Sequence, residues 1–158
     1  MKKMLTGCLA ALVLAGCKPA MTDQISPATQ AATISLPSSQ GFAETEASLK
    51  AAISARNLKM FTIIDHGTGA KSVGGDIGAS KLFIFGNLNI GTPLMTAEPT
   101  MGLELPMKIL VHGVDDTVSL HRTDITGTIR RYGVTDQDAR LQKIDKTLTA
   151  IMTEAAGK

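Results

Sequence analysis

From Thr33 onward the apolar positions fall into two periods, and their order sketches a fold. Ile34 and Leu36 alternate with Thr33, Ser35 and Pro37, which predicts an edge strand ended by a proline that has no N–H for a ladder. Phe42, Leu49, Ala52, Ile53 and Arg56 recur at helical spacings, so residues 42–56 are expected to form an amphipathic helix. Ser38 or Ser39 is placed to cap it, and Asn57 can take the left-handed conformation that ends helices. Leu58–Ile64 and Ser80–Phe85 are β-rich runs, joined by a glycine-rich connector with room for a short helical piece. Leu103–Val111 and Val118–Arg122 flank Gly113-Val114-Asp115-Asp116-Thr117, the pattern of a hairpin. Within 136–156, Leu141, Ile144, Leu148 and Ile151 recur at three and four residues. Thr135 and Asp138 are spaced as a capping box and Gly157 stands as the stop, so a second long helix is expected. Strand, helix, several strands, helix is the order of an α+β domain, with a largely antiparallel sheet and two long helices packed on one face.

Ahead of Thr33 the pattern is of another kind. Met1-Lys2-Lys3 is a positive start, and Met4 to Gly16 is an uncharged apolar run ending in small side chains. That is the form of a secretory signal, and Lys18 and Pro19 stop it well short of the ~20 apolar residues a membrane span needs. Leu14-Ala15-Gly16-Cys17 resembles the lipobox of bacterial lipoproteins. By that resemblance residues 1–16 are a removed leader, and the thiol of Cys17 receives a diacylglyceryl group. Cys8 sits in a similar short pattern, Leu5-Thr6-Gly7-Cys8, but has almost no apolar run before it. Residues 17–32 are rich in Ala, Thr, Ser, Gln and Pro and read as a tether. Multiple acylation would hold residues 33–158, the single domain, at a bilayer surface essentially permanently. The expected location is the bacterial cell envelope, facing the periplasm.

The leader also alters the charge balance. The chain has 16 Lys and Arg against 14 Asp and Glu. Removing Lys2 and Lys3 leaves 16 − 2 = 14 basic groups, a neutral mature domain without the positive excess that a nucleic-acid partner demands. With Cys8 lost and Cys17 acylated, no thiol remains for a disulfide, a zinc site or a nucleophile.

Candidate chemistry is sparse. Gly67-Thr68-Gly69-Ala70-Lys71-Ser72 has the composition of a phosphate loop but neither its spacing nor that of the dinucleotide fingerprint. Asp65 and His66 are adjacent, so on a continuing strand they point to opposite faces and cannot form a dyad. If the hairpin turns about Asp115 and Asp116, His112 faces Ser119 and Leu110 faces His121. The two histidines then share one face as diagonal neighbours about 7–8 Å apart. They and His66 are the weak metal candidates, since a metal site needs three or four ligands and the spacing supplies two. No nucleophile elbow and no zinc-protease motif occurs.

Phe42 heading a helix, Ile64-Asp65-His66, Ala70, Gly74, Phe85-Gly86-Asn87, Gly91-Thr92, Leu94-Met95, Leu103-Glu104-Leu105-Pro106 and the closing helix stand in one order from Gly41 onward. Together they resemble the bacterial "domain of unknown function 302" family. The resemblance implies a TATA-binding-protein-like arrangement, an antiparallel sheet carrying two long helices, often dimeric, with no settled activity. It marks Asp65, His66, Phe85, Gly86 and Asn87 as ligand-binding candidates, at strand ends where a shared pocket is expected. Leu88 departs from the family's usual proline, and His112 and His121 lie outside its pattern.

The expected function is a membrane-anchored, non-enzymatic envelope module that binds a small molecule or an envelope protein, as a homodimer on a lipid anchor, with no cofactor firmly implied. The alternative is a haem- or metal-binding or enzymatic domain built around His66.

Overall fold

A computed structural model describes residues 33–134 and 138–158. The leader, the tether, Cys17 and Thr135 lie outside the described residues. Five strands, β1 (Thr33–Pro37), β2 (Lys59–Asp65), β3 (Ala79–Gly86), β4 (Met107–Val114) and β5 (Thr117–Thr123), form one antiparallel sheet in the order β1-β5-β4-β3-β2. α1 (Phe42–Ser54) and α5 (Asp138–Ala155) pack against each other. Three shorter helices, α2 (His66–Ser72), α3 (Leu88–Ala97) and α4 (Ile125–Arg131), and a 3-10 turn at Pro99–Leu103 complete the domain. The α+β architecture with an antiparallel sheet is the one the patterning predicts.

Alternation along the central strands explains the layering. Met107, Ile109, Val111 and Gly113 of β4 are buried, as are Val118, Leu120 and Arg122 of β5. The residues between them are only half-buried. Each strand therefore gives one face to a hydrophobic core and leaves the other open. The core joins Phe83, Ile109 and Leu120 of the sheet to Leu49 and Ile53 of α1 and Ile151 of α5, all essentially inaccessible. Burying each such side chain contributes about 1.5–3 kcal/mol.

Pro37 ends β1 at the sheet's edge, as expected. Asn57 follows α1 with φ 52°, and Gly157 follows α5 with φ 71°, both left-handed helix stops. The expected serine cap is absent. Gly41 is the N-cap of α1 and its side contributes no capping bond. Ser38 Oγ lies 2.7 Å from Thr45 Oγ1, and Ser39 Oγ donates to the Ala156 carbonyl at 2.8 Å. Ser39 thus binds the turn before α1 to the end of α5, a contact that only the tertiary fold creates. The patterning also misses α3 and α4. Gly91 and Pro93 interrupt the one and Gly127 the other, which lowers helix propensity below what periodicity can detect.

Candidate ligand-binding site

β3 stops at Gly86, and the chain turns away through Asn87 into α3. Asn87 makes that turn possible: its Oδ1 accepts the Asn89 N–H at 2.9 Å, capping the helix. α3 does not fill the space it covers. Between it, the Gly86 end of the sheet and α5 lies a cavity of about 270 Å³. Phe85, Leu94, Met107, Ile144 and Leu148 form its buried lining, and Phe61 and Leu88 are exposed at its margin. Gly86 and Gly91 keep it open. A Cβ on Gly86 would come 3.6 Å from Pro106 Cβ, and one on Gly91 3.6 Å from Leu105 Cδ1.

Charge in this lining comes from one helix. Among the described residues, Arg140 and Lys143 of α5 are its two ionic residues, and no described lining residue is an Asp or Glu. Lys143 is exposed and also borders a shallower groove with Arg56 and Lys146. The arrangement can therefore enclose a small apolar body and meet negative charge at its edge. None of its described lining residues is a histidine.

The five candidates from the family pattern separate into two places. Phe85, Gly86 and Asn87 line the cavity. Asp65 and His66 do not, because Lys59 pairs with Gly86 while Asp65 pairs with Lys81. Asp65 is six positions along β2 from Lys59, about 20 Å of strand, so the expected shared pocket does not form. Asp65 serves α2 instead. Its Oδ1 accepts the Thr68 N–H at 2.8 Å, and this backbone bond holds its carboxyl below the ordinary range. His66 is the exposed first residue of α2.

The hairpin pair stands on the open face of the sheet. His112 is opposite Ser119 and Leu110 opposite His121, as the turn at Asp115 and Asp116 requires. The imidazole centroids are 6.5 Å apart. His121 Nδ1 is 2.8 Å from Ser35 Oγ and its Nε2 2.7 Å from Ser119 Oγ, while His112 Nε2 donates to the Ile77 carbonyl at 3.0 Å. Burial, and then the neighbouring His112, push the His121 pKa below its usual value. Both nitrogens of His121 are thus engaged by hydroxyls. Among the described residues no three His, Cys, Asp or Glu side chains gather at metal-binding range.

Sequence reasoning missed Arg140, Lys143, Ile144 and Leu148 as site residues. Ile144 and Leu148 were visible as part of an apolar helical stripe, but nothing along the chain says that part of the stripe faces a void.

Residues 34–155 match the family described as "Domain of unknown function DUF302". The chain belongs to that family. A crystal structure of an uncharacterized conserved DUF302 protein from Bacillus stearothermophilus has the same fold, with a TM-score of 0.72 at 15% identity, covering 78% of this chain and 97% of that one. Two curated relatives are fluoride-specific ion channels named FluC 1, from Brucella suis and Brucella abortus. Each is 38% identical over 77 residues, which is 49% of this chain and 30% or 28% of the relative. The matched stretch thus spans under a third of the length of those channels.

Proposed function

We propose that this DUF302 protein is a lipid-anchored envelope module that binds a small molecule without transforming it. The cavity between α3, α5 and the Gly86 end of the sheet carries the reading, because a preformed apolar hollow with a few polar groups at its edge is the usual form of a ligand site. Its volume, about 270 Å³, lies at the lower edge of small-molecule pockets, about 300–1,000 Å³, and suits a small compound.

Anchoring rests on the Leu14-Ala15-Gly16-Cys17 pattern. Fatty-acid labelling of cells expressing the full chain should mark the protein, and Cys17→Ser should abolish the label; an unlabelled native protein that retains Met1 overturns the anchor. A homodimer is proposed with it. Ile64 is 41% exposed on the sheet face opposite the helices, beside Leu82, Ile84 and Leu110. Sedimentation of the full chain in lipid nanodiscs should give twice the monomer mass of protein, and a strict monomer removes the dimer.

Ligand binding is tested by equilibrium dialysis of the full chain in phosphatidylcholine nanodiscs, with empty discs as the blank, against eight-carbon amphiphiles. Saturable uptake that Gly91→Leu removes supports the cavity as the site. No uptake of any of them rejects it.

A further inference from the structure

We infer that the cavity takes the tail of a single-chain anionic amphiphile whose acidic head is met by Lys143, a reading that rests on the cavity being the ligand site. Three observations converge on this class. First, the buried lining is aliphatic, thioether and phenyl surface, namely Phe85, Leu94, Met107, Ile144 and Leu148. It offers a tail dispersion and the hydrophobic effect but no buried charge. Second, the volume of about 270 Å³ lies at the lower edge of small-molecule pockets, about 300–1,000 Å³, which leaves room for one chain of modest length. That is too little room for a two-chain lipid. Third, the ionic groups of the lining have one sign among the described residues.

Arg140 and Lys143 are three residues apart on α5, so they stand on neighbouring turns of one face. Lys146 continues the row into the adjoining groove. Lys143 is exposed and makes no ion pair with a carboxylate among the described residues. Of the carboxylates on α5, Asp145 pairs with Arg122 and Glu154 with Arg56. A cationic head would be repelled at this margin, and a neutral head would gain nothing from it. A carboxylate accepts a charge-assisted bond from Lys143 while its chain stays in the hollow. Thr147 and Asn87 are the uncharged polar side chains of the lining, and either can serve the same head.

The experiment compares octanoate, 1-octanol and octylammonium on the full chain in phosphatidylcholine nanodiscs, with empty discs subtracted. Octanoate should bind most tightly and octylammonium least. Lys143→Gln should weaken octanoate by about three- to tenfold and leave octanol unchanged, while Lys143→Arg restores octanoate. Gly91→Leu, which extends a side chain toward Leu105 and Met95, should abolish both. Equal binding of octanol and octanoate, insensitive to Lys143→Gln, overturns the anionic class while leaving the cavity as a ligand site. Octanoate binding that survives Gly91→Leu, with a folded variant by circular dichroism, overturns the site itself, and uptake of none of the three compounds overturns both.

Discussion

Arg122 of β5 reaches across the sheet–helix interface to Asp145 of α5, Nη2 to Oδ1 at 2.8 Å, with the arginine side chain 2% exposed and the aspartate 37%. Nη2 also donates to Thr149 Oγ1 at 3.0 Å and Nη1 to the Thr123 carbonyl at 3.3 Å, leaving Nε without a partner. The pair is lopsided, and the lopsidedness makes a prediction. Asp145→Ala strands a buried guanidinium and should cost about 3 kcal/mol, the lower end of the range for breaking a buried pair from one side. Arg122→Met leaves an aspartate that water can still reach, and a thioether that suits the core, so about 1 kcal/mol or less is expected. Urea midpoints of the two variants should fall in that order, and the double variant should recover most of the Asp145→Ala loss. Equal losses would mean the charge is not the element that matters.

Glu46 of α1 bridges two lysines, accepting from Lys50 Nζ at 2.7 Å along its own helix and from Lys81 Nζ at 2.8 Å on β3. Burial works to raise its pKa, but the bonds from Lys50 and Lys81 outweigh burial and hold it below the ordinary value of 4.5. The folded protein therefore loses this carboxylate at lower pH than the unfolded chain does. Its contribution is complete above the unfolded value and disappears as pH falls through the folded one. Glu46→Gln should lower stability by about 1 kcal/mol at pH 7. The gap between wild type and variant should close in acid, below the usual glutamate range. A gap that persists unchanged there assigns the loss to packing rather than to ionisation.

The parts of this fold that were legible along the chain are those with a local cause. Pro37 cannot donate to a ladder, so it marks an edge. Asp115, at φ 51°, takes the left-handed turn conformation that places His112 across from Ser119. The α5 stripe follows from its 3.6-residue period. What stayed hidden has a distant cause. Arg122 occupies the third buried position of β5, where alternation calls for an apolar residue, and its partner lies 23 residues away on a helix. Strand ends were visible at Asp65 and Gly86, but antiparallel register decides that they lie at opposite ends of the sheet. The cavity was invisible for a related reason: a lining residue and a core residue have the same side chain, and the difference is the position of α3.

Gly78 precedes β3 with φ 72°, and a Cβ there would come 2.4 Å from the Gly113 carbonyl and 3.1 Å from Val114 Cγ2. Two penalties coincide, a left-handed backbone that an L side chain dislikes and a clash with β4 backbone that no rotamer can relieve. Gly78→Ala should cost at least about 2 kcal/mol. Gly91→Ala, where the added methyl meets only ordinary contacts, should instead gain about 0.5–1 kcal/mol from helix propensity. Thermal unfolding of the two variants should move in opposite directions, and a matching loss in both would show that Gly91 is held for more than the space it leaves.

His121 makes the last prediction because its hydrogen bonds constrain its charge. A neutral imidazole has one donor and one acceptor nitrogen, so of the two serines on it, Ser35 and Ser119, one donates and the other accepts. Protonation turns both nitrogens into donors and obliges one hydroxyl to rotate. Burial and the nearby His112 already disfavour the charged form, placing the folded pKa below the ordinary 6.5. The unfolded chain consequently takes up this proton first as pH falls. Stability should be complete above about pH 7, decline through the unfolded value and level off once the folded imidazole is protonated too. Proton NMR of the imidazole Cε1–H should find the His121 midpoint below 6.5, rising in a His112→Gln variant as the neighbouring charge is removed, and His121→Gln should flatten the dependence of stability on pH between about 5 and 7. A normal midpoint that His112→Gln leaves in place would show that neither burial nor the neighbouring imidazole governs this proton.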